Sequence, residues 1–245
     1  MTERYWHLRA GPLFEMLDAE ELTRLERQSS SRKFSRGELI YLPADLGDSA
    51  LLLVDGRVRL FAATPEGKQG VLGYVEPGEL FGELPVITGG KRDEFAEATA
   101  TSLVVSVPRE EILHLVSSKP PFALEITKLI GFRRKRYERR LKALLFKSTR
   151  ERLIHLLLEF AERYGRQAKP ETPVAFAEKF THQELANVIG STRESVTVLL
   201  GTLQYERLIE VRRRRIIITN LPALAAEVGQ SIPGVVIDPD LLPAY

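Results

Sequence analysis

Arg193 and Glu194 stand side by side at the head of a short amphipathic stretch, RESVTVLLGTLQY. Their chemistry is that of base recognition. A guanidinium offers paired donors to the two acceptors on the major-groove edge of guanine, and a carboxylate accepts from the amino group of cytosine. Val196, Leu199, Leu200 and Leu203 recur at i, i+3, i+4 and i+7, so one face of this stretch is apolar and helical. The opposite face carries Glu194, Thr197, Val198, Gly201 and Tyr205, with Arg193 at its entry. A helix of this kind lies in a major groove and presents its N-terminal side chains to base edges.

Such a helix needs elements that hold it in place. Thr181 and Glu184 make a capping box just ahead of a first helix that begins near His182. Ser191 and Glu194 make a second capping box directly after Gly190, with Thr192 between them. Two helix starts separated by a glycine turn predict a helix-turn-helix. Downstream, IEVRRRRIIITN sets two β-rich runs around Arg212, Arg213, Arg214 and Arg215, a hairpin wing suited to phosphate contacts. Each piece alone is common on protein surfaces. Their order points to double-stranded DNA, with Thr181, His182, Ser191, Thr192, Arg193, Glu194, Thr197, Val198 and the four wing arginines as candidate contacts.

The rest of the chain narrows the classes. At 245 residues it is long enough for two domains. Hydrophobic content of 44% and charged content of 28% are those of a globular protein. The net charge of +2 requires DNA affinity to come from local basic clusters. The absence of cysteine removes disulfides, thiolate catalysis, and cysteine-bound zinc or iron–sulfur clusters. No apolar leader or membrane-length run is read, so a cytoplasmic location without a membrane partner is expected.

Residues 12–28 have helical spacing with acids early and arginine late. From Lys33 to Pro108, short β-rich runs (ELIYL, SALLLVD, RVRLFAAT, QGVLGYV, SLVVSV) punctuated by glycines predict a small β-barrel or roll. A long helix is expected from Pro120 to about Leu145, another over 150–164, a loop over 165–174, and a short helical run then a proline-containing tail over 221–245. In the long helix Ile126, Ile130, Tyr137, Leu141 and Leu144 form a seam at near-heptad spacing, with Arg133 on the same line. This seam either pairs two chains as a parallel coiled coil or packs on the roll. A palindromic DNA site favours the two-fold pair.

A β-roll, a long helix and a C-terminal winged helix, with an FGEL cassette at Phe81 to Leu84 and S-T-R-E-S-V at Ser191 to Val196, resemble the CRP/FNR superfamily of transcription factors. The resemblance implies an α+β fold. Residues 1–119 are a double-stranded β-helix (jelly roll) of the cyclic-nucleotide-binding kind with an N-terminal helix. Residues 120–146 are the dimerisation helix, 147–220 the winged helix-turn-helix, and 221–245 a C-terminal extension. It further implies a homodimeric regulator, with activation as the expected sign and RNA polymerase as a partner.

Within that family, TGGKRDEFAEATA (88–100) and IGSTRESVTVLLGTL (189–203) are most similar to the cyanobacterial nitrogen-control regulator, a sensor of 2-oxoglutarate. The resemblance puts an effector pocket at Phe81, Gly82, Glu83 and Leu84, with Arg133 and Glu138 from the long helix. The carboxylate-binding arginine of the roll falls on Glu94. The same position holds the phosphate-binding arginine of cyclic-AMP sensors, whose next residue, a serine, falls on Phe95. Their helix pair of Thr and Ser falls on Tyr137 and Glu138. An anion meeting Glu94 at about 4 Å would be repelled by roughly 4 kcal/mol at an effective dielectric of about 20. Arg92 is the cation placed to compensate. Neither cyclic AMP nor 2-oxoglutarate is therefore expected to act, no cofactor is expected, and the effector is unspecified or absent. On the reading face, a third arginine frequent in the family, five positions after the first, falls on Val198.

Two other classes bear on the same residues. A cupin-type metalloenzyme needs clustered ligands, whereas His7, His114, His155 and His182 are dispersed. A haem or metal sensor of the same fold would need a histidine ligand such as His7 or His114. No nucleophile–base pair or phosphate-cradling loop is read, so no catalysis is expected.

Overall fold

The structure is a computed structural model that describes residues 13–176, 179–212 and 215–238. It divides into two units, one ending at Tyr137 and the other starting at Glu138.

In the first unit, α1 (Ala19–Gln28) starts at Asp18, whose carboxylate accepts from the Glu20 and Glu21 N–H groups while Glu21 reaches back to the Asp18 N–H. This cap sets the start of the expected 12–28 helix later than the sequence pattern does: Phe14 and Leu17 are buried ahead of the helix, and Pro12 lies outside the described residues. Eight strands follow: β1 (Ser30–Phe34), β2 (Leu39–Tyr41), β3 (Ser49–Asp55), β4 (Val58–Ala63), β5 (Gln69–Val75), β6 (Leu80–Phe81), β7 (Phe95–Ala98) and β8 (Ser102–Pro108). They form two four-stranded antiparallel sheets, β1-β8-β3-β6 and β2-β7-β4-β5. Inside the roll, Tyr41, Leu53, Val58, Leu60, Phe81 and Ala96 make one apolar core. A second core joins Leu52, Val105 and Val107 of the first sheet to Leu25 of α1, Ile112 of α3 (Arg109–Ser118) and Phe122 of α4 (Pro120–Phe146). A short helix, α2 (Leu84–Thr88), separates β6 from β7.

In the second unit, α5 (Thr149–Tyr164) opens with a capping box made by Ser148 and Glu151. The 165–174 segment, expected as a loop, is a hairpin: β9 (Gly165–Gln167) pairs with β10 (Val174–Phe176). Three-residue strands are too short to leave a period-2 signature between Gly, Lys and Pro. Next come α6 (His182–Ile189), α7 (Arg193–Tyr205), β11 (Ile209–Arg212), β12 (Arg215–Ile218), α8 (Leu221–Glu227) and β13 (Val236–Ile237). The sheet runs β11-β12-β10-β9-β13, with β13 parallel to β9. Leu153, Leu157 and Phe160 of α5, Leu185 of α6, Leu200 and Leu203 of α7, and Leu224 of α8 are buried here. The Phe160 and Phe180 rings stack at 4.2 Å. Leu224 thus places the start of the C-terminal segment inside the winged-helix core.

Candidate nucleic-acid interface and effector pocket

Thr181 caps α6 as expected. Its hydroxyl accepts from the Glu184 N–H, and Glu184 accepts from the Thr181 N–H at 2.7 Å. Gly190 ends the helix in the left-handed region at φ 65°, and a β-carbon there would come within 2.8 Å of Leu144 Cδ2. The second cap lies one residue later than Ser191. Thr192 has the extended backbone, and its hydroxyl accepts from the Ser195 N–H at 3.2 Å. Ser191 is already committed to closing α6, its N–H donating to the Ala186 carbonyl at 3.0 Å. Glu194 therefore takes no part in the cap and stands exposed beside Arg193.

Val196, Leu200 and Leu203 face the core, so the side of α7 opposite them points outward. At 100° per residue the centre of that side holds Glu194, Val198 and Tyr205, with Val198 68% and Tyr205 90% exposed. Arg193 and Thr197 flank it. The Thr197 hydroxyl donates to the Arg193 carbonyl at 2.9 Å and meets His182 Nδ1 at 2.8 Å, a bond from α6 to α7. Thr197 and His182 thus lock the two helices together, a role the sequence pattern alone does not distinguish from base contact. In the wing, Arg212 pairs with Arg215. Arg213 and Arg214, the other two wing candidates, lie outside the described residues. Arg212 Nε donates to Glu210 Oε1 at 2.7 Å.

The candidate pocket gathers at the first turn after β6. Phe81 is fully buried and Leu84 points outward, 51% exposed. Gly82 sits at φ 65°, and a β-carbon there would collide with Arg92 Nη1, so only glycine fits. Arg92 is buried and fixed. Its Nη1 donates to the Gly82 carbonyl at 3.1 Å, its Nη2 to the Ser49 carbonyl at 2.7 Å, and its guanidinium lies 4.2 Å over the Tyr41 ring. Arg92, expected to compensate an incoming anion, is held against the backbone by these bonds instead. Buried Glu83 accepts from Arg133 Nη1 at 2.6 Å, and Arg133 also donates to the Leu80 carbonyl. Burial opposes the Arg133 charge most strongly, but the charge and hydrogen bond of Glu83, together with Tyr137 and Glu79, leave the arginine pKa raised.

Glu94 accepts from the Tyr41 hydroxyl at 2.9 Å. Burial pushes its carboxyl pKa up; the Tyr41 bond works against this, and the nearby Glu83 charge adds to it. Burial, then the Glu94 charge, likewise raises the Tyr41 phenol. Tyr137 is raised by burial and by Glu94 too, although 38% of its surface is exposed. Phe95 departs from the expected pocket. Alternation along β7 turns it away from the side on which Ala96 and Ala98 meet the roll core, and it stacks on Phe61 at 4.8 Å. Glu138 is exposed and belongs to the second unit. Tyr41, which joins Arg92 to Glu94, was legible only as a strand residue. Its signal is a phenol inside an apolar run, which needs a partner when buried.

The long-helix seam divides. Ile126 is 3% exposed in the second core, between the first sheet and the helices, and Ile130 packs against that core, so Ile126 is engaged within its own chain. Tyr137, Leu141 and Leu144 are exposed. His114 is on the exposed side of α3, and His7 lies outside the described residues. Among the described residues no group of three or more His, Cys, Asp or Glu is placed to hold a metal ion, and no helix is long and apolar enough to cross a membrane.

Comparison with known proteins adds to this geometry. A family model for the cyclic nucleotide-binding domain matches residues 31–119, and one for the Crp-like helix-turn-helix domain matches residues 151–227. The chain is similar to the global nitrogen regulator of Synechococcus elongatus, 30% identical over 80% of this chain and 88% of that one. It is also similar to the CRP-like cAMP-activated global transcriptional regulator of Mycobacterium tuberculosis, 24% identical over 89% of this chain and 96% of that one. Among solved structures, a transcriptional regulator from Thermus thermophilus aligns with a TM-score of 0.68 at 28% identity, covering 82% of this chain and 99% of that one.

Proposed function

The chain belongs to the CRP/FNR family of DNA-binding transcription regulators, and from that premise we propose how its own residues act. It works as a homodimer in the cytoplasm, binds a palindromic promoter site through two α7 helices, and activates transcription by contact with RNA polymerase. It is a regulator and carries no enzymatic activity. The observation that carries this reading is the outward face of α7: Arg193, Glu194 and Val198 stand exposed on a helix whose other side is locked into the core and whose N-terminus is tied to α6. Arg193 reads guanine, Glu194 reads the cytosine amino group, and the wing arginines 212 to 215 hold phosphates. Tyr137, Leu141 and Leu144 supply the dimer seam.

The pocket supports binding without an anionic effector. Arg133 is engaged by Glu83 and Arg92 by two carbonyls, while Glu94 adds an acidic group where an anion would sit. Arg133 with Glu83 links the long helix to the roll, a task for which no ligand is required. Site selection from random DNA with the purified, unliganded chain tests this. A palindrome with half-sites about one helical turn, roughly 10–10.5 bp, apart is expected. Absence of any enriched sequence would contradict it.

A further inference from the structure

We infer that Val198 is a specificity-determining residue that reads a thymine methyl group in each half-site. The inference rests on the proposed entry of α7 into the major groove and commits it to a base. Val198 lies one turn after Glu194 on the outermost line of α7 and is 68% exposed. Its isopropyl group is therefore uncovered in the free protein, at the centre of a face whose other members are polar or lack a side chain. Gly201, one turn further, has no atom within 4 Å of where a β-carbon would sit, so nothing screens Val198 from that direction. Tyr205, 90% exposed, continues the line. Thr197, the neighbouring candidate, has its hydroxyl spent on Arg193 and His182. Val198 is thus the group on this face without hydrogen-bonding capacity that projects furthest from the core.

In the major groove the only apolar group on a base edge is the C5 methyl of thymine. A valine pressed against guanine or cytosine leaves polar base atoms without partners, whereas against thymine it buries methyl against methyl. The thymine is expected close to the base pair that Glu194 reads, because the two side chains are neighbours one helical turn apart on the same face.

Replacing thymine by uracil removes that methyl and leaves every hydrogen-bonding group in place. With the full-length protein and its selected palindrome, uracil at this one position in each half-site is expected to weaken binding about fourfold per half-site, the effect of one buried methyl. Val198→Ala should lose that sensitivity, and Val198→Arg should move the selected base from thymine to guanine. The side chain is exposed, so both variants should keep the melting temperature of the parent. If the wild type binds its palindrome but is indifferent to uracil at every thymine, or Val198→Ala keeps the full uracil penalty, the inference fails alone. A wild type that selects no site would overturn it together with the placement of α7 in the groove.

Discussion

Arg193 and Glu94 show how one side chain decides a property of the whole protein. Arg193 is exposed at the entry of α7, beside the Thr192 cap, and base readout is its proposed role. Arg193→Ala should cost about 1–3 kcal/mol of specific binding and relax the preference at one base pair per half-site. Competition binding against single-base variants of the palindrome measures it. Glu94 makes a different prediction, on stability against pH. Burial raises its folded pKa above the usual 4.5, so the native state holds a proton that the unfolded chain has released. Its contribution is greatest below about 4.5 and is lost as pH rises through the folded value. Glu94→Gln keeps an oxygen for the Tyr41 hydroxyl and removes the titration. Relative to wild type, its melting temperature should gain as pH climbs from about 4 toward neutrality; a constant difference across that range would show that Glu94 is not the group concerned.

At the scale of elements, the long helix carries two tasks along one seam. Its N-terminal part gives Ile126 to the core between the first sheet and the helices, and its C-terminal part leaves Leu141 56% exposed. Leu141→Glu puts a charge where a partner helix needs an apolar knob, and should give monomers in sedimentation with much weaker binding to a two-half-site operator. An unchanged dimer would move the interface elsewhere. The heptad spacing was legible in sequence, but spacing cannot say which neighbour covers each position, and Ile126 is covered by its own chain. The helix-turn-helix was legible for a similar reason, since caps and the glycine turn are local chemistry. The one-residue shift of the second cap from Ser191 to Thr192 was not, because both are hydroxyl residues and only backbone geometry separates them. Strand β1 was missed because four of its five residues are exposed, and β13 because two residues have no period. Phe81 to Leu84 and Arg133 could be named from the sequence, and the ion pair of Arg133 with Glu83 brings them together. The fixing of Arg92 on carbonyls was not legible, because backbone acceptors have no sequence signature.

At the scale of the molecule, an internal ion pair ties the long helix to the cassette that follows β6. Glu83 and Arg133 satisfy each other, Tyr41 satisfies Glu94, and Arg92 is spent on two carbonyls. Calorimetry with cyclic AMP and with 2-oxoglutarate should accordingly register no micromolar binding, and neither should raise the melting temperature. A Kd in that range abolished by Arg133→Ala would restore an effector-gated reading. The most direct test is the affinity of the unliganded, full-length dimer for its selected palindrome against a scrambled duplex of equal length at one fixed salt concentration. The account predicts a preference of about 10³-fold or more, little changed by either small molecule. Equal affinity for the two duplexes until cyclic AMP or 2-oxoglutarate is added would contradict it.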